Sequence, residues 1–160
     1  MRLARIVCVL FSSAAFALQP SSPPMKMGLW EITSNTTMKA TGKMADSMAK
    51  MGQPMGTPTI QSMKMCFTLD SWQKALSRET RSGCTKSNVV MTSQKYALTL
   101  TCNTMTTDSV TFIDSPVQMH GTIHLVSNSP NGQMISDGTS TAKFLGADCG
   151  DVKPIGSTIH

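Results

Sequence analysis

Aromatic residues make up only 5% of the chain and charged residues only 14%. No run of about 18 to 20 apolar residues occurs, which excludes a span crossing a membrane as a helix. Glutamate is present only at Glu31 and Glu79, so paired carboxylates for acid–base chemistry are scarce. Asp137, Asp148 and Asp151 sit near turn signals, where Asp is favoured for backbone reasons alone. No Cys-x-x-Cys occurs, so neither a redox dithiol nor a zinc knuckle is indicated. The Gly-x-Ser-x-Gly elbow, His-Glu-x-x-His, the phosphate loop and Gly-x-Gly-x-x-Gly are missing too. The expectation is a non-enzyme with no catalytic residue.

What is there begins with an address. Arg2 and Arg5 form a short positive start, Ile6 to Phe16 is apolar apart from Ser12 and Ser13, and Ala15-Phe16-Ala17 supplies small residues for cleavage. That is the plan of a secretory signal over residues 1–17, and it places the protein in the periplasm or outside the cell. Cys8 lacks the small residues that precede a lipidated cysteine. The mature chain is then Leu18–His160, with 12 basic and 9 acidic residues. A net charge of +3, scattered and without clustered aromatics, argues against a nucleic-acid surface.

Cleavage leaves Cys66, Cys84, Cys102 and Cys149. Export makes two disulfides the default, and four cysteines allow three pairings. The favoured pairing is Cys66–Cys84, closing a local loop around a short helix, with Cys102–Cys149 tying the last strand to the middle of a sheet. Each bridge contributes on the order of 3–4 kcal/mol in the chain-entropy account.

Residues 18–27 read as a flexible, proline-broken leader, 28–149 as one β domain, and 150–160 as a C-terminal tail. Alternation predicts strands over 28–39, 60–67, 87–92, 95–103, 110–113, 117–126 and 133–145. Residues 40–58, rich in Met, Gly and Pro, read as a loop. Trp72, Ala75 and Leu76 predict one short helix over 71–78, capped by Thr68 or Asp70. Asn131-Gly132 is a hairpin signal. Val117, Met119, Gly121, Ile123 and Leu125 share one strand face, and Gln118, His120, Thr122 and His124 the other. Together these predict a mainly β fold: an antiparallel meander curled into a barrel or half-barrel.

Leu, Ile, Val and Phe number only 24 of the 143 mature residues, so the 13 mature methionines must supply much of the core. Met44, Met48, Met51 and Met55 have the spacing of one helical face, and soft thioethers select Cu(I). Copper binding there is an alternative to packing; otherwise no metal or cofactor is expected. His120 and His124, four residues apart on a strand, lie roughly 13 Å from each other and cannot share an ion. His160 ends the chain. Asn35-Thr36-Thr37 matches a glycosylation sequon by pattern only.

Gly28-Leu29-Trp30-Glu31, the Met-rich stretch, Met65-Cys66-Phe67 before a short helix, Cys84 and the closing Gly146-x-x-Cys149 resemble a family. It is that of small exported bacterial proteins classed as domain of unknown function three-six-one-seven. Members open with Pro-Gly-Leu-Trp-Glu and end near Gly-Asp-Cys; here Met27 replaces the proline and the ending is one residue longer. The resemblance implies an exported, disulfide-bearing, mainly β protein and brings no activity with it. Within its opening, Gly28 allows a sharp turn or a close backbone approach. Trp30 is expected to anchor the first strand in the core.

The leading functional expectation is a non-enzymatic module that binds an apolar small molecule or an envelope partner in the concave face of a curled sheet. The alternatives are a periplasmic copper-binding protein and a structural envelope component.

Overall fold

A computed structural model describes residues 22–76 and 83–155. The expected export signal over 1–17, most of the turn before Cys84, and His160 lie outside the described residues. Seven strands form one antiparallel sheet: β1 (Gly28–Ala40), β2 (Thr59–Phe67), β3 (Cys84–Met91), β4 (Lys95–Cys102), β5 (Met105–Ser115), β6 (Gln118–Ser129) and β7 (Gly132–Gly146). Their order is β2-β1-β7-β6-β5-β4-β3, so β2 and β3 are opposite edges and the sheet curls without closing. The fold is mainly β, as the alternation predicts.

Burial alternates over Thr111–Ser115, Gln118–Thr122 and Ser136–Gly146, with buried or half-buried positions on one face and exposed ones on the other. The half-buried, inner face carries Trp30, Ile32, Ala142, Met119 and Ile113. Backbone register aligns the last four in one row across β1, β7, β6 and β5.

Trp30 is fully buried. Phe67 and Phe144 meet it edge-on, with ring centroids 6.2 Å and 5.6 Å away, a favoured aromatic geometry. Its indole N–H donates to the carbonyl oxygen of Lys26 at 2.9 Å. Truncating such a side chain to Ala costs about 3–5 kcal/mol. The end of the expected flexible leader is therefore built into the fold. Met25 is buried in the Trp30 cluster, and the Lys26 N–H donates to the Pro116 carbonyl.

The described residues hold two helices where one was expected. α1 (Gly42–Lys50) occupies part of the segment read as a loop and lies on β1 and β7. Its sequence GKMADSMAK contains good helix formers, and the breakers Gly52 and Pro54 come only after its end. Met48 is its buried residue. The Met44 N–H, left over at the helix start, donates to the Asn131 carbonyl at 3.0 Å. The β6–β7 hairpin turns through Pro130-Asn131, one residue earlier than the Asn131-Gly132 signal suggests, and Gly132 opens β7 at φ +132. A Cβ there would collide with the Thr41 carbonyl.

α2 (Leu69–Leu76) follows β2. Thr68 caps it: the Ser71 N–H donates to Thr68 Oγ1 at 3.1 Å and the Thr68 N–H to Ser71 Oγ at 2.9 Å. Trp72 packs against the Trp30 cluster.

The disulfides are Cys66–Cys149 and Cys84–Cys102, which overturns the pairing favoured from spacing. Cys66 and Cys84 are close in sequence but sit on opposite edge strands. Cys84 instead lies directly across from Cys102 in the β3–β4 hairpin. Cys149 reaches β2, and the tail follows it there: Pro154 bridges to Cys66, and the Ile155 N–H donates to the Cys66 carbonyl at 3.0 Å.

Candidate functional site

The inner face is apolar at the Trp30 end and small and hydroxylic one row further on. That second row runs Ser34, Ser140, Gly121, Thr111 and Tyr96 across five strands. The small side chain of Ala142 in the first row and those of Ser140 and Gly121 in the second leave a hollow between sheet and α2. It is a cavity of about 230 Å³. Ile32, Ala142, Met119 and Ile113 form its apolar floor, and Phe67 and Trp72 form one wall. Met25 and Ile155 close it from the two ends of the described chain. Ser140, Thr111 and Tyr96 line its hydroxylic side, and Ser71 and His120 also border it.

Gly121 keeps the second row low. A Cβ there would stand 2.5 Å from the Val110 carbonyl oxygen, so strand crowding permits only glycine. The Ser71 hydroxyl is taken up by α2, donating to the Thr68 carbonyl at 2.8 Å. The Ser140 and Thr111 hydroxyls have no protein hydrogen-bond partner among the described residues. Burial pushes the Tyr96 phenol above its ordinary pKa of 10.0, so it is neutral throughout the physiological range.

The outer face carries the charge. Glu31 stands between Lys64 and Lys143 in register. His120 Nδ1 meets Asp114 Oδ2 at 2.8 Å, and His124 Nδ1 meets Asp137 Oδ1 at 2.6 Å. The His120 ring stacks on Phe112, with centroids 5.0 Å apart. Each histidine has its own carboxylate across the ladder, and both pairs are solvent-exposed. No group of three or more His, Cys, Asp or Glu among the described residues is placed to hold a metal ion.

The four methionines of the Met-rich segment are divided by the end of α1. Met44 and Met48 are on the helix, and Met48 is buried against the sheet. Met51 caps the helix and is 67% exposed, and Met55 lies beyond Gly52 and Pro54. One helical face therefore does not carry all four. Cys66, Cys84, Cys102 and Cys149 are all in disulfides, and Trp30 lies on the same face as the cavity floor, one row before it, and is not in its lining. Sequence reasoning did not find the cavity residues Met25, Thr111, Ser140 and Ile155. Helical spacing pointed to Trp72 and strand alternation to Met119, and Tyr96, the sole tyrosine, lies on a strongly alternating strand.

The profile of a family described as "Protein of unknown function (DUF3617)" matches residues 25–149. The chain belongs to that family. The DUF3617 match begins at Met25 and ends at Cys149, and so takes in the whole sheet, both helices and both disulfides. No curated protein matches. Among solved structures the chain is similar to the S-type phycobiliprotein lyase CPES from Guillardia theta. The identity is 7% and the TM-score 0.38, with 75% of this chain and 88% of that chain covered. Likeness at that level carries no functional conclusion. No helix among the described residues is long and apolar enough to cross a membrane.

Proposed function

We propose that this protein is an exported, non-enzymatic binding module that holds an apolar small molecule on the inner face of its sheet. The observation that carries the reading is the cavity between the sheet and α2, an apolar hollow with a few convergent polar groups. Methionines at its walls, Met25 and Met119, adapt to irregular apolar shapes. Export agrees with the basic–apolar–small start of the chain and with two disulfides.

Native mass spectrometry of protein purified from its own host tests this. The expected result is a co-purifying small molecule that is lost in Ala142→Phe. That substitution fills the cavity floor at an overpacking cost of about 1–3 kcal/mol. A clean apo protein that also takes up no apolar dye would remove the proposal.

A further inference from the structure

The inner face has a charge pattern that narrows the ligand. Across the strand positions that share the Trp30 face, Lys86 is the one charged residue among the described residues. It pairs with Leu100, two rows beyond the hydroxyl row. The carboxylates and ammonium groups of β1, β2, β5 and β7 project from the outer face. Of the cavity's lining residues only His120 can carry a positive charge and none is a carboxylate; its Nδ1 is already engaged by Asp114 Oδ2, so an ionic head group entering there would find no free counter-charge, and burying an unpaired charge is strongly unfavourable.

The cavity is not purely hydrocarbon either. Two of its hydroxyls, on Ser140 and Thr111, have no protein partner, in contrast to that of Ser71. They flank Gly121 in one row, on β7 and β5, and its missing side chain leaves them uncovered. A wholly apolar ligand would bury them unsatisfied, at about 1–3 kcal/mol each. One row further out, Ile123 lies over Gly138, with Cγ2 3.0 Å from the point where a Cβ would stand, yet remains 42% exposed. A large aliphatic side chain is thus presented beside the hydroxyls. The cavity itself, about 230 Å³, falls below the roughly 300–1,000 Å³ of sites that enclose whole drug-sized ligands.

We infer that the ligand class is an uncharged amphiphile: an aliphatic chain with a neutral hydroxyl or carbonyl group. Its chain occupies the cavity, its polar group bonds the Ser140 and Thr111 hydroxyls, and the remainder extends over Ile123. This inference rests on the binding-module reading and specifies what that module accepts.

The test uses 1-octanol, octanoate and octylammonium, which share a chain and differ in head-group charge. Binding to the full mature protein is read at neutral pH by calorimetry and by tryptophan fluorescence, since Trp72 lines the cavity. Octanol should bind at least about 10-fold more tightly than either ion. Thr111→Val and Ser140→Ala, which keep shape and remove the hydroxyl, should each weaken octanol by about 2- to 10-fold, the range of one neutral hydrogen bond. Both should leave octanoate unchanged. Equal binding of all three probes, or preference for an ion, would overturn the neutral class and leave the binding module standing. Preference for octanol that both variants retain in full would overturn the role given to the hydroxyls. Binding of none of the probes would overturn the inference; if a co-purified ligand is still present in the host-derived protein, the module reading survives that result. These probe comparisons are made on the unaltered protein, so they stand even if a variant fails to fold.

Discussion

A Cβ on Gly28 would stand 2.2 Å from the carbonyl oxygen of Gly146. Gly28 also has φ +136, outside the range that other residues adopt without strain. The Gly-Leu-Trp-Glu opening thus has a backbone cause: β1 starts where β7 ends, and the two chains touch there. Gly28→Ala should destabilise the protein by about 2 kcal/mol or more. Gly146→Ala, whose Cβ would point into open space, should stay within about 0.5 kcal/mol of the parent. Urea unfolding of the two variants checks the contrast.

Peptide mapping under non-reducing conditions should return Cys66–Cys149 and Cys84–Cys102. The two bridges span 83 and 18 residues. In the chain-entropy account, replacing each pair by serine costs about 4.5 and about 3 kcal/mol respectively. The variant lacking Cys66–Cys149 should therefore unfold at the lower urea concentration. The reverse order would mean that the hairpin bridge does more than shorten the unfolded chain.

Tyr96 is the one tyrosine, so its ionisation can be followed by ultraviolet absorbance without overlap. Its phenol is raised by burial, and the folded state therefore holds the proton more tightly than the unfolded state. The stabilisation from keeping it neutral is fully present below the unfolded value near 10 and is lost as pH rises through the folded value. Phenolate should appear later in the native protein than in urea. Tyr96→Phe should flatten the alkaline loss of stability.

Methionine oxidation should follow exposure. Met51 is 67% exposed, whereas Met48 and Met119 are each 8% exposed. Brief peroxide treatment, read by peptide mass spectrometry, should convert Met51 to the sulfoxide well before either buried residue. Early oxidation of Met48 would mean that α1 leaves the sheet.

Local periodicity carried most of the fold. Alternation over 117–126 separates the inner-face Met119, Gly121 and Ile123 from the outer-face His120 and His124, because strand geometry imposes a period of two. Long-range relations were not readable in the same way. The Cys66–Cys149 bridge depends on which strands become edges, and sequence distance does not encode that. α1 was hidden because Gly and Pro downstream of Lys50 coloured the whole segment as loop. The site was the least legible part. Its floor takes residues from several strands, while Met25 and Ile155 come from segments flanking the sheet, and no motif links them.

The tail segment Pro154–Ile155 lies along an edge strand, which bears on self-association. Unsatisfied backbone groups on an outermost strand are templates for recruiting another chain into a growing fibril. Along β2 the Pro154–Ile155 strip covers that template at Cys66, where the proline brings no N–H of its own to extend the ladder. At the far side, β3 is bent by a bulge between Ser87 and Val90 that includes Asn88 at φ 51. One border of the sheet is covered at its Cys66 end by a segment tethered through Cys149, and the other is misshapen. Reduction of Cys66–Cys149 should therefore free that strip and leave the end of β2 open to strand addition, which light scattering before and after reduction checks.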